Sequence, residues 1–158
     1  MYRLLLAISL ILPLFLLPAC VNETPDGTDP VTVGMRVPRF EVTTLDGDVF
    51  STRGDLTGEM MIIFFNTECP DCERELPLVQ QYYDRTLTIP ADRRTRLICI
   101  SREENARSVS DYWHQHDFTM PVAACDDRAV YSLFAISGIP RVYTIRDGII
   151  CSVSSSLP

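Results

Sequence analysis

The sequence predicts an α/β domain built on a central sheet, and three observations carry that expectation. An apolar run at residues 60–65, Met-Met-Ile-Ile-Phe-Phe, gives way to a helical pattern. A second apolar run at 97–100, Leu-Ile-Cys-Ile, does the same. Near the C-terminus, two apolar segments flank Asp147-Gly148, a hairpin-turn dipeptide. Successive strand–helix units imply parallel strands joined by right-handed crossovers, and the hairpin adds antiparallel ones, so the sheet is expected to be mixed. A chain of 158 residues, 46% hydrophobic and 22% charged, suffices for one such domain.

Residues 1–19 hold one arginine, Arg3, an apolar core from Leu4 to Leu17, and small Ala19 before Cys20. That pattern predicts a secretory signal peptide, and Pro13 and Pro18 argue against a retained spanning helix. Leu17-Pro18-Ala19-Cys20 resembles a bacterial lipobox, so Cys20 is expected to be lipidated and to anchor the mature chain to a membrane. Removing residues 1–19 leaves 13 arginines against 21 acids, a net charge of −8. Residues 20–33, rich in Pro, Gly, Asp and Thr without periodicity, read as a flexible tether. The domain is then expected over 34–158.

Phe40 to Thr44 alternates, Leu45-Asp46-Gly47-Asp48 turns, and Val49-Phe50-Ser51 returns, an antiparallel preface suited to covering a sheet edge. The central strand at 60–65 is apolar throughout, as strands buried on both faces are. It stops at Asn66-Thr67-Glu68. Cys69 follows at a helix cap, with Pro70 at the first helical position, where a missing N–H costs nothing. Cys72, Leu76, Val79, Tyr83 and Leu87 then mark one helical face. Cys72 therefore points inward. Cys69 sits at the helix N-terminus, where free N–H groups and the dipole stabilise an anion by about 0.3–1 kcal/mol, up to ~2 when partly buried.

That spacing makes Cys69 the exposed attacking thiolate and Cys72 the shielded resolving thiol. A structural disulfide or half of a zinc site would use the same two residues, but zinc needs about four ligands, and the sequence offers no second Cys-x-x-Cys or Cys-x-x-His pair. Redox chemistry is the favoured reading. Beyond the helix, residues 97–100 form the next strand. Ser101 is expected to cap a helix with Glu103 and Glu104 in its first turn and Ala106, Val109, Trp113 and His116 along its stripe. Residues 120–124 read as a third strand, and Asp126 or Asp127 as the cap of a short helix carrying Val130, Leu133 and Phe134. Residues 141–145 and 149–153 form the closing hairpin.

The segment Phe64-Phe65-Asn66-Thr67-Glu68-Cys69-Pro70-Asp71-Cys72-Glu73-Arg74-Glu75-Leu76-Pro77 resembles the active-site segment of extracytoplasmic thioredoxin-like proteins of the TlpA/ResA type. Glu75 and Pro77 fall on the family's helix glutamate and kink proline, and Gly34, Pro38, Phe40, Asp46 and Gly47 match its opening. Glu68 stands where the family usually has tryptophan. The resemblance implies a three-layer thioredoxin-like fold, a central mixed sheet with helices on both faces and an N-terminal hairpin. The sequence leaves no room before Pro158 for the helix that usually follows the last strand. Pro140 matches the family's cis-proline facing the cysteines, and the backbone of Ile139 would pair with an extended substrate, beside Glu68, Pro70 and Asp71. The resemblance also implies that Glu75 takes the proton from Cys72; its spacing alone, three residues on and hence on a neighbouring helical face, reads rather as a surface acid. Ile63 occupies the place of the aspartate that thioredoxins proper bury.

The activity so implied is reversible disulfide formation between Cys69 and Cys72, reducing disulfides of exported proteins, apocytochromes c included, with a membrane thiol donor to reset the pair. No cofactor and no metal is expected. Glu68, Asp71, Glu73 and Glu75 crowd the cysteines, and carboxylates within ~4–6 Å disfavour a thiolate, which predicts a comparatively reducing pair; Arg74 and Arg141 are candidates to offset them. All 14 basic residues are arginine and the net charge is −7 without a basic cluster, which argues against nucleic acid. A thioredoxin-like copper carrier is the rival from another class, but it uses Cys-x-x-x-Cys with a late histidine, and no histidine follows His116. His114 and His116 face different sides of one helix. A peroxiredoxin would need Pro-x-x-x-Thr-x-x-Cys, and Ile62 and Asn66 occupy those places. Cys99, Cys125 and Cys151 are expected to be buried thiols, with a Cys99–Cys125 bridge left open.

Overall fold

The computed structural model describes residues 28–157; the stretch read as a signal peptide, Cys20 and most of the stretch read as a tether, up to residue 27, lie outside them. A short hairpin pairs β1 (Glu41–Thr43) with β2 (Val49–Ser51). The central sheet holds β3 (Glu59–Phe65), β4 (Arg96–Ser101), β5 (Val122–Ala123), β6 (Arg141–Arg146) and β7 (Ile149–Ser154), in the order β5-β4-β3-β6-β7. β3, β4 and β5 run parallel, while β6 pairs antiparallel with β3 and β7. Between strands lie α1 (Pro70–Thr86) and α2 (Ala106–Gln115).

β3 explains why the sheet forms where it does. Met60 to Phe65 are each no more than 3% exposed, and successive side chains enter opposite layers. Met61, Ile63 and Phe65 pack with Cys72, Leu76 and Val79 of α1 and Val109 and Trp113 of α2. Met60, Ile62 and Phe64 pack with Phe40, Val42 and Phe50 of the hairpin region and with Tyr131, Phe134 and Tyr143. Two right-handed crossovers stepping the same way, β3 to β4 to β5, put both helices on one face. The return from β5 to β6 crosses the other face, where the hairpin and a single 3₁₀ turn, Tyr131–Leu133, form the layer.

That turn differs from the expected short helix. Asp127 does bond the Ala129 amide, at 2.8 Å, but Tyr131 is the buried anchor and Leu133 is 41% exposed. α2 also begins later than expected. Its cap is Asn105, whose side chain accepts from the Ser108 amide at 3.0 Å. Ser101 instead ends β4, its hydroxyl accepting from the Cys125 amide at 3.1 Å. On α1 the inward stripe runs through Cys72, Leu76 and Val79, but Leu87 is the exposed C-cap and Thr86 is buried in its place.

Both sheet edges are covered. The Leu45 amide bonds the Val122 carbonyl of β5 at 2.9 Å, so the hairpin turn seals one edge as predicted. On the other, Gly34 and Val37 donate to Ile150 and Gly148, at 2.8 and 3.0 Å. Ordered contacts start before Gly34: Val31 is buried, and Asp29 accepts the Ile136 amide at 3.0 Å and pairs with Arg141. The stretch read as tether is docked from its last few residues onward. In the β6–β7 turn, Asp147 and Gly148 both have positive φ, 50° and 76°, the geometry a two-residue hairpin turn requires. Beyond β7, Leu157 packs against the layer that holds both helices.

Candidate active site

Cys69 caps α1 in extended conformation, φ −88° and ψ 114°, and its sulfur accepts from the Cys72 amide at 3.4 Å. Pro70 occupies the first helical position, so the one donor that could not be satisfied there is absent. The Cys69 thiol also lies 3.7 Å from the Ile139 carbonyl oxygen, to which it donates. Cys69 is half-buried and Cys72 fully buried, both as free thiols. Burial above all, and then the hydrogen bond with Cys69, pushes the Cys72 thiol well up from its ordinary value. Cys72 is thus held protonated at neutral pH, as a thiol that waits for its partner to react first.

The Ile139–Pro140 peptide bond is cis and Pro140 is buried. Tyr131 donates to the Gly138 carbonyl at 2.8 Å, and Arg128 to the Ile136 carbonyl at 2.7 Å, so the loop facing Cys69 is pinned from below. Asp29 holds it from the side through Ile136 and Arg141. Glu68, Pro70 and Asp71 are exposed around Cys69. Asp71 pairs with Arg74, and Arg141 is taken up by Asp29. Neither arginine therefore pairs with the sulfurs.

Glu75 is only 8% exposed and accepts the backbone amide of Leu157. Helical spacing had been compatible with a surface acid; the chain after β7 folding back over α1 is what buries it. Glu104 is the residue sequence reasoning placed wrongly. It lies outside α2, 9% exposed, and both its oxygens accept the Thr67 amide at 3.0 Å. Asn105, with Ser108 three residues on, takes the cap expected of Ser101, and Glu104, left outside the helix, turns toward the cysteine loop.

The other cysteines stand apart. Cys99 is buried among the helix-side residues and burial pushes its thiol up. Cys125 packs against the opposite layer, where burial and then Asp127 and Asp126 raise it. A bridge between them would have to cross the sheet. Cys151 is exposed on β7, contrary to the expectation of burial; it stands where the β6–β7 register shifts, between the pairs Thr144–Ser152 and Ile145–Ile150, and has no partner of its own on β6. Two cavities of about 370 and 380 Å³ lie along the hairpin edge and are lined by none of these cysteines. Among the described residues no group of three His, Cys, Asp or Glu side chains is placed to hold a metal ion.

A Cys-x-x-Cys pair at a helix N-terminus, one sulfur accessible and one buried, opposite a cis-proline loop and on a mixed five-stranded sheet, defines a thioredoxin-like thiol-disulfide oxidoreductase. The chain belongs to the AhpC/TSA family, whose sequence profile matches residues 33–152. It is 25% identical over 122 residues to the thiol-disulfide oxidoreductase ResA of Bacillus cereus, covering 76% of this chain and 68% of that one. ResA of Oceanobacillus iheyensis is 25% identical over 144 residues, covering 89% and 73%. Among solved structures, a putative protein disulfide isomerase from Bacteroides thetaiotaomicron superposes with a TM-score of 0.71 at 24% identity, 80% of each chain covered. StoA from Bacillus subtilis superposes with 0.62 at 22% identity, covering 77% and 90%.

Proposed function

We propose that this protein is a lipid-anchored extracytoplasmic reductant of disulfides in exported proteins, apocytochromes c among them, with Cys69 as nucleophile and Cys72 as resolving thiol. The observation that carries this reading is the unequal placement of the two sulfurs, Cys69 accessible at the helix N-terminus and Cys72 behind it at 0% exposure. The Cys69 thiolate attacks a substrate disulfide; one S–S bond breaks, a mixed disulfide forms, and the first substrate sulfur leaves and takes up a proton. Cys72 then gives up its proton and attacks the Cys69 sulfur, releasing the second substrate thiol. The substrate gains two electrons and two protons, and the protein keeps a Cys69–Cys72 disulfide for a membrane dithiol to reduce.

Glu75, buried one helical turn beyond Cys72, is the group we assign to receive that second proton. Ile139, preceding Pro140, offers its carbonyl to an extended substrate, with Glu68, Pro70 and Asp71 forming the rim. Anchoring rests on Cys20; among the described residues no helix is long and apolar enough to cross a membrane. A Cys20→Ala protein is expected to move from the membrane pellet to the soluble extracytoplasmic fraction with its insulin-reducing activity unchanged. If the variant stays membrane-bound, the lipid anchor is the wrong explanation. For the copper-carrier reading the described residues offer only Cys69 and Cys72 as clustered donors, and a cuprous-ion titration that leaves their alkylation untouched would dispose of it.

A further inference from the structure

We propose that Glu104 is a positioning residue for the reactive cysteine, acting from the loop between β4 and α2 by clasping Thr67. The inference deepens the thiol-exchange reading and rests on it. Four residues, 66–69, join β3 to α1, and most of their polar groups are tied locally. The Glu68 amide bonds the Asn66 side chain at 2.9 Å, and the Cys69 amide bonds the Asn66 carbonyl at 3.2 Å. Thr67 is held from across the fold instead. Its amide meets both Glu104 oxygens at 3.0 Å, and its hydroxyl donates to the same carboxylate.

A carboxylate this deeply buried is costly unless its acceptor sites are filled. Among the described residues no salt bridge involves Glu104, so the donors from Thr67 serve that purpose. Glu104 is itself anchored, its amide bonding the Cys125 carbonyl at 2.9 Å, and the neighbouring Arg102 carbonyl receives the Asn66 side chain at 3.1 Å. The β4–α2 loop thus acts as a template for the cysteine loop. The carboxylate takes both donors of Thr67, Oε1 receiving the amide and the hydroxyl and Oε2 the amide, and its negative charge strengthens each bond relative to a neutral amide in its place. A cavity of about 250 Å³, lined by Asn66, Thr67, Glu68, Glu104, Asn105 and Ser108, adjoins the clasp. Without it the loop has room to shift, and the Cys69 sulfur loses its set distance from the Cys72 amide and the Ile139 carbonyl.

The test is the alkylation rate of Cys69 by iodoacetamide near neutral pH, followed by peptide mass mapping, alongside insulin reduction and melting temperature. Glu104→Gln and Thr67→Val are each expected to slow Cys69 alkylation about tenfold, the scale of losing a hydrogen bond to a charged group. Thr67→Ser, which keeps the hydroxyl, should retain the wild-type rate, and the Thr67→Val/Glu104→Gln double variant should be no slower than the slower single one. A purely structural role would lower the melting temperature and leave the alkylation rate of folded protein unchanged, which would overturn the proposal, as would independent, multiplicative losses in the double variant. If Glu104→Gln does not fold, the contrast between Thr67→Val and Thr67→Ser decides the matter alone. Wild-type protein that fails to reduce insulin while the alkylation pattern holds would sink the reductase reading and leave the clasp standing.

Discussion

A Cys72→Ser protein mixed with a disulfide substrate is expected to stop at the mixed disulfide, visible as a stable covalent adduct on non-reducing gels and by mass. Turnover of insulin should fall by about a thousandfold or more, the scale seen when one member of a concerted catalytic pair is removed. Cys69 remains able to attack, because its access and its place at the helix N-terminus do not depend on the Cys72 side chain; the contact at 3.4 Å comes from the backbone amide. What is lost is the sulfur that displaces the substrate. Cys69→Ser should be equally inactive but form no adduct, since Cys72 is fully buried and burial holds its thiol protonated. Adducts trapped through Cys72 in the Cys69→Ser protein would reverse the assigned roles.

Phe64→Ala is expected to be the most damaging change outside the cysteines, lowering stability by about 3–5 kcal/mol out of a total of roughly 5–15. Phe64 is 0% exposed, with ring centroids 5.1 Å from Phe134, 5.4 Å from Tyr131 and 6.1 Å from Tyr143. Truncation removes the ring that the hairpin-side layer closes around. That layer lacks a full helix, so little can collapse into the space. It also bears the segment leading to Pro140, so substrate reduction should weaken at temperatures where the fold still holds. Urea denaturation measures the loss; a change below about 1 kcal/mol would mean that this layer is not close-packed.

The parts legible in sequence were those with a short-range physical signal. The apolar run at 60–65, the proline after a capping cysteine and the Asp-Gly turn each announce their own geometry, and each stands where expected. What eluded the sequence depends on partners far along the chain. Asp29 reads as tether until Arg141 is seen beside it, and Glu75 reads as a helix-surface acid until Leu157 folds over it. Glu104 is a case of competing local signals: Ser101 and Asn105 both suit a helix cap, and the choice of Asn105 decides whether the carboxylate faces the helix or the cysteine loop. The short helix expected after Asp127 is a single 3₁₀ turn, and Tyr131, the residue it buries, reaches the Gly138 carbonyl, a contact that no periodicity encodes.

The equilibrium between the Cys69/Cys72 couple and a glutathione or dithiothreitol buffer tests the central claim most directly. The account predicts one reversible two-electron transition, lost in either cysteine variant, with a potential of about −270 mV or below, in the range of reducing dithiol proteins. A pair that never closes under oxidising buffer, or one that titrates near about −120 mV as strong oxidants do, would contradict it.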